Sequence, residues 1–280
     1  ASGNTPKHGS DILKKQELLI KEIYQSRRLI ASLAKNDFKK RYAGSYLGTI
    51  WAFIQPLVTV CVYWFVFGLA LRNGAERSVP FVLWLMAGLV PWFFFQEGLM
   101  GGTNALLEYN YLVKKVVFNI RILPLVKVLS AVFVHVFFIL VVIVIYLLMG
   151  YPPTWYTLQI AYYSFSLFML VLGLTYFTSS VVVFFRDLGQ IINIALQVGI
   201  WATPIMWAFE DLGLDGIIVK LFKLNPLFYI VQGFRDSLID HVGFWQHPLL
   251  TVYFWLFTLA VFYFGLKLFR KLQVHFADVL

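Results

Sequence analysis

The sequence predicts an all-α integral membrane protein with six transmembrane helices, and three observations carry that prediction. The 280 residues are 60% hydrophobic and 13% charged, whereas soluble domains carry roughly a quarter charged residues. Six apolar stretches reach the length of about 20 residues that a helix needs to cross the hydrocarbon. The lysines and arginines gather in the connections on one side of those stretches rather than along the whole chain.

The elements follow in order. The opening "ASGNTPKHGS" (1–10) is polar and lacks a signal-peptide pattern, so it is expected to be disordered or tag-derived. Residues 11–43 set Ile12, Leu19, Ile23, Ile30, Leu33 and Phe38 on one stripe with basic residues elsewhere around the helix. This is the pattern of a helix lying in the interface plane, and a topological anchor and a mechanical element both fit it. The spans are expected at about 47–71, 81–105, 122–149, 157–184, 190–208 and 249–269. Pro56, Pro91, Gly173 and Pro204 interrupt them, as spanning helices tolerate. Lys39, Lys40 and Arg41 before the first span, Lys114, Lys115 and Arg121 before the third, Arg186, and Lys267, Arg270 and Lys271 in the tail share one side. Both termini are therefore expected in the cytoplasm.

Two segments are neither span nor ordinary loop. Residues 108–121, "EYNYLVKKVVFNIR", place Leu112, Val113, Val116, Val117 and Ile120 on one helical face. Lys114 and Arg121 project from another face, with Lys115 and Asn119 beside them. A helix there, tied to a span at each end, serves either as a lever or as a passive surface helix. The region 209–248 contains two apolar pieces too short to span, separated by Asn225 and Pro226. Asn as cap and Pro in the first turn start a helix, so the region is expected to re-enter the outer leaflet.

The stretches "RYAGSYLGTIWAFIQPL" (41–57), "VVFFRDLGQI" (182–191), "ATPIMW" (202–207), "NPLFYIVQGFRD" (225–236) and "FRKLQVHFADVL" (269–280) together resemble the permease subunit of type-two ATP-binding-cassette exporters. Within that class "YWFVFGLALRNG" (63–74) looks more like the wall teichoic acid permeases than those for O-antigen or capsular polysaccharide. The resemblance implies a permease homodimer in the bacterial plasma membrane. It also implies two partner subunits that bind ATP and Mg²⁺, and a substrate polymer linked to undecaprenyl diphosphate. It makes 108–121 a coupling helix, with Lys114, Lys115, Asn119 and Arg121 facing the ATPase and the Arg186–Asp187 turn as a second contact.

The chain itself offers little catalytic chemistry. It has no G-x-x-x-x-G-K-[ST] phosphate loop, no HExxH and no cysteine pair, so no catalytic, metal or cofactor site is expected in it. The lone Cys61 is read as packing. A charge of +9 points to anionic lipid and topology rather than nucleic acid, because the cations flank apolar stretches. A membrane-embedded transferase would need clustered acids or histidines. A secondary transporter usually shows inverted repeats and titrating intramembrane charges.

For the expected substrate, Arg27, Arg28 and Arg41 are candidate contacts to a lipid diphosphate. Gln55, Tyr63, Trp64, Phe67, Asn193, Gln197 and Trp201 are candidate linings of a conduit, the amides alternatively bonding neighbouring helices. Glu97 within the second span is read as a structural hydrogen-bond partner, with a gate as the rival reading. Lys127 and His135 in the third span are read as packed or snorkelling. Gly44 and Gly48 are either a close helix contact or a plain turn.

Overall fold

A computed structural model describes residues 25–41, 43–70, 78–115, 119–209, 213 and 215–280. Among them every regular element is helical and no strand occurs. Residues 11–24 of the expected interface helix, the tip 71–77 after the first span and residues 116–118 lie outside the described residues.

Helix α1 (Arg27–Arg41) buries Ile30, Ala34 and Asp37 on one stripe. A tight turn leads to α2 (Trp51–Tyr63), which runs on as π-helix through Trp64–Ala70. Gly44 and Gly48 sit in that turn at φ +88° and +53°, with nothing within 4 Å of where a Cβ would be. They make the turn and no helix contact, because left-handed backbone favours glycine. Helix α3 (Phe81–Thr103) is followed by two single turns, α4 (Ala105–Glu108) and α5 (Asn110–Val113). Then come α6 (Ile122–Leu148) and α7 (Gln159–Val182), the latter entered through a 3₁₀ turn at Trp155–Leu158. Helix α8 (Leu188–Ala202) is short. The pair α9 (Gly216–Lys223) and α10 (Pro226–Arg235) precedes the long α11 (Pro248–Leu272) and a last turn, α12 (Phe276–Val279).

Among the described residues five helical segments are long and apolar enough to cross a membrane: Gly48–Gly68, Phe81–Thr103, Ile122–Leu148, Trp155–Val182 and Pro248–Val279. The fifth expected span, 190–208, is not the helix that its hydropathy suggests. Helix α8 has 15 residues, about 22 Å at 1.5 Å per residue, against roughly 30 Å of hydrocarbon. It stops because Pro204 forces Thr203 into extended backbone, at φ −106° and ψ 129°. The two short helices parted at Asn225–Pro226, by contrast, are as the sequence predicts. Asn225 caps α10 by accepting from Leu227 N at 3.0 Å, and the two arms, Gly216–Lys223 and Pro226–Asp240, are bent by 93°.

The single helix expected over 108–121 is also interrupted. Tyr109 leaves helical geometry at φ −103° and ψ 29°, dividing α4 from α5. Its buried ring and hydroxyl are drawn toward α1, and that contact replaces helical continuity. Helix α3 forms the centre and packs against α6, α7 and α10, with Leu83, Leu85, Ala87 and Leu89 fully buried. Helices α7 and α11 cross where Gly265 meets Gly173. A Cβ on Gly265 would lie 2.6 Å from the Gly173 carbonyl oxygen.

Candidate functional site

The end of the bundle that carries α1, α4 and α5 holds a cluster of charges built from four elements. Asp37 on α1 and Lys127 on α6 pair at 2.6 Å, each side chain only 5% exposed. Lys127 also pairs with Glu108, and Arg41 pairs with Glu97 on α3. Arg41 reaches Asp37 at 3.4 Å and Ser130 at 3.5 Å. The Tyr109 hydroxyl donates to Asp37 at 2.8 Å, and the Lys127 ammonium sits 5.2 Å above the Tyr109 ring. Burial alone would raise the Asp37 carboxyl, but the Lys127 hydrogen bond and charge, with Tyr109 and Ser130, hold it below the usual carboxylate range. Burial, then the Asp37 charge, pushes the Tyr109 phenol up, so it remains a donor.

Lys127 is therefore neither snorkelling nor merely packed; it is the hub of a buried ion-pair network. The stripe Ile30, Ala34, Asp37, Arg41 ran at helical spacing in the sequence. A carboxylate on that apolar face was the signal that the sequence reading passed over. His135, by contrast, is packed: it stacks on Phe94 at 4.7 Å and shares a 3.0 Å hydrogen bond with Ser164.

Two cavities flank the Arg41–Glu97 pair. The first, about 450 Å³, is lined by Asp37, Lys40, Arg41, Asn104, Glu108 and Tyr111 among others. The second, about 490 Å³, lies between α2 and α3 and is lined by Gln55, Thr59, Tyr63, Phe93, Gln96 and Glu97, with Arg41 at its edge. Thr59 and Gln96 were not singled out from the sequence. Gln55, Thr59 and Tyr63 are four residues apart in succession, so a polar stripe on the first span was the available sign.

The expected conduit residues fall into two groups. Gln55 and Tyr63 line the second cavity, and Tyr63, Phe67 and Trp201 form a row of rings 6.3 and 6.2 Å apart that links α2 to α8. Asn193, Gln197 and Trp201 share one exposed face of α8, while Trp64 is exposed on α2.

The arginines expected at a lipid diphosphate do not converge. Arg27 and Arg28 begin α1 and Arg41 ends it, about 20 Å further along the axis, where Glu97 and Asp37 hold it. Lys114, Lys115, Arg186 and Asp187 are exposed. The turn holding Arg186 and Asp187 lies at this same end, since Gly189 just beyond it approaches the Asn104 side chain at the foot of α3. Arg121 donates to Gln273 at 3.0 Å and Asn119 accepts from the Arg121 N–H at 3.2 Å, so both are engaged with the chain itself.

At the opposite end, Arg235 of α10 is buried and donates to the carbonyls of Pro204 and Ile205 at 2.8 and 2.9 Å. Its guanidinium lies 3.5 Å from the Trp84 ring centre. Asn225 donates to the Thr203 hydroxyl at 2.8 Å. The re-entrant pair thus satisfies the backbone freed where α8 breaks, as apolar surroundings require. No group of three or more metal-ligating side chains occurs among the described residues.

A bundle of long apolar helices with a sharply bent helix pair fits a membrane permease. The chain belongs to the ABC-2 type transporter family, whose model matches residues 28–239. It is 28% identical to the O-antigen export system permease protein RfbA of Myxococcus xanthus, over 80% of this chain and 85% of the relative. It is 26% identical to a protein of the same name from Klebsiella pneumoniae, over 90% and 95%. It is 22% identical to the polysialic acid transport protein KpsM of Escherichia coli, over 86% and 92%. Permeases of this family work with an ATP-binding subunit.

Proposed function

We propose that this chain is the membrane subunit of an ATP-driven exporter of cell-surface polysaccharide of the O-antigen type. The observation that carries the reading is similarity over 80 to 90% of the chain to proteins named as O-antigen export permeases. The teichoic acid reading rested on residues 63–74, and the last four of them lie outside the described residues. The relatives match nearly end to end, and their names favour polysaccharide.

In this reading both termini are cytoplasmic, two copies of the chain assemble with two ATPase subunits, and the polymer is lipid-linked. Exposed Arg27 and Arg28 at the start of α1 meet the lipid phosphate. Lys114, Lys115, Arg186 and Asp187 face the ATPase. The α2 and α8 faces bearing Gln55, Tyr63, Trp64, Phe67, Asn193, Gln197 and Trp201 border the path of the polymer.

The test is export by the complex reconstituted with its ATPase subunit, offered a lipid-linked polysaccharide or a lipid-linked poly(glycerol phosphate). The polysaccharide is expected to cross and to stimulate hydrolysis. Export of the phosphate polymer alone restores the teichoic acid reading. Charge reversal at Lys114 and Lys115 is expected to weaken ATPase docking or uncouple hydrolysis from export while the chain still inserts. Normal assembly and export by that variant would make α4–α5 a passive surface.

A further inference from the structure

The longest uncharged stretch of the chain is the pair α6 and α7 with the connection between them. No Lys, Arg, Asp or Glu occurs between Lys127 and Arg186. Both helices pack on α3 but meet each other little, and a groove of about 760 Å³ runs between them. Phe94 of α3 contributes its floor, Val132, Val136 and Ile139 one wall, and Ala161 and Phe165 the other. The polar residues deep in the lining, His135 and Ser164, bond each other at 3.0 Å. From Leu129 to Ile143 the α6 wall extends about 21 Å at 1.5 Å per residue, against about 15 Å for half of the hydrocarbon.

The surroundings of the groove decide its occupant. Phe133, Leu140 and Val144 beside it on α6 and Leu158 at the head of α7 are exposed. On helices long enough to span, such side chains face lipid. A charged or sugar-like ligand would lose its hydration and find no charged partner in the lining. A hydrocarbon tail loses nothing, since it leaves one apolar medium for another. It also restores the dispersion contacts that an unfilled groove forfeits. The volume is within the roughly 300–1,000 Å³ of small-molecule sites.

We propose that this groove is a binding site for one acyl tail of a membrane phospholipid. The tail runs inward from the α6–α7 connection past the middle of the bilayer. Its head group lies beside Thr154 and Thr157, with exposed Trp155 at the same level. Because no charge stands on that connection, the site selects the tail and not the head. The bound tail fills the space between the span that follows α5 and the span that precedes the Arg186–Asp187 turn, so it packs together the helices leading from those two segments. The site rests on the chain being a membrane permease, whatever polymer is exported.

The experiment uses the complex with its ATPase subunit, purified in detergent and loaded with a phosphatidylethanolamine whose palmitoyl tail carries a diazirine. After a wash with lipid-free detergent the sample is irradiated and the labelled peptides are mapped. Labels on Val136, Ile139, Ala161 and Phe165 are expected to survive the wash about tenfold better than labels on Leu140 and Val144, a difference of dissociation rate. Ala161→Phe puts a ring into the groove and is expected to abolish the retained label. Leu140→Phe, on the exposed face, should leave it unchanged. In the wild type, dipalmitoyl phosphatidylethanolamine should displace the probe, whereas the dihexanoyl lipid at equal mole fraction in the micelle should not, because its tails are too short for the groove. Dipalmitoyl phosphatidylglycerol should displace it as well as the ethanolamine lipid does.

Groove labels that wash out as fast as those on the exposed face would overturn the proposal. So would retained label in a folded Ala161→Phe variant; if that variant fails to insert, the wild-type competition decides. Equal displacement by the short-tailed lipid would show that no deep tail site exists. Stronger displacement by undecaprenyl phosphate than by the phospholipid would make the occupant a polyprenyl chain and overturn it too.

Discussion

The second span and the first have similar composition and opposite fates. Phe81–Thr103 has a mean hydropathy of 1.4 and is 67% buried, whereas Gly48–Gly68 has 1.9 and is 11% buried. Hydropathy therefore does not separate core from periphery here; close approach does. Helix α3 carries Gly98 and Gly102 against Val171 and Thr175 of α7, where a Cβ would lie within 3 Å of those side chains. Helix α2 has no glycine from Trp51 to Tyr63 and contains Pro56. It touches the bundle through rings, such as Phe53 on Phe137 at 4.2 Å. The scaffold is thus α3, α6, α7 and α11, while α2 and α8 keep amide-bearing faces for a partner or a ligand.

Breaking the scaffold at its ionic hub should have the largest effect. Lys127→Met leaves the buried Asp37 carboxylate without its 2.6 Å partner. Removal of one member of a buried pair costs about 3–5 kcal/mol, to be read from thermal unfolding of the purified protein. Acid acts from the other side. The folded Asp37 carboxyl lies below its ordinary value, so its contribution is complete above the carboxylate range. It is lost as pH falls below about 4 through the folded value. Asp37→Asn should remove that acid-sensitive step. An unchanged acid profile in Asp37→Asn would show that other carboxylates set it.

The helix crossing comes next. Gly265→Leu forces a side chain toward the Gly173 carbonyl, 2.6 Å from the first carbon added, and backbone cannot yield as a flexible side chain does. Overpacking of this kind costs about 1–3 kcal/mol. The same substitution at Gly150, where no atom lies within 4 Å of a Cβ, tests strain without crowding, because its φ of +87° is still left-handed. Gly265→Leu should be the worse of the two. If both are equal, close approach of α7 and α11 is not what holds the scaffold.

Much of the fold was legible because it rests on run length and punctuation. The long spans follow from about 20 apolar residues apiece, and the Asn225–Pro226 start of α10 is local chemistry. What was hidden depended on long-range partners. Lys127 alone reads as a snorkelling cation, and only the meeting of α1 with α6 turns it into a hub. Arg235 finds its carbonyl partners only when α10 folds back to the broken end of α8. The length of α8 was overestimated because hydropathy runs on through "ATPIMW", while Pro204 ends the helix. Gln55 and Tyr63 were legible as polar and aromatic residues in a span, but Thr59 and Gln96 join them only once α2 lies beside α3.

The smallest effect on stability should come from the face that distinguishes α8 from the scaffold. Asn193 and Gln197 are exposed beside Ile194 and Val198. Substitution of either exposed side chain by Leu should change stability by no more than about 0.5 kcal/mol. Export is the sensitive readout, because an amide facing water or a sugar chain is replaced by an apolar group that offers it nothing. Asn193→Leu and Gln197→Leu should therefore insert, assemble and unfold like wild type while exporting several-fold less polysaccharide per ATP hydrolysed. A loss of assembly with the ATPase, or of dimer in the purified complex, would instead mark these amides as hydrogen-bonded between two copies of the chain. Unchanged export and assembly together would assign this face to lipid and leave α2 and the cavity beside it as the polar border of the path.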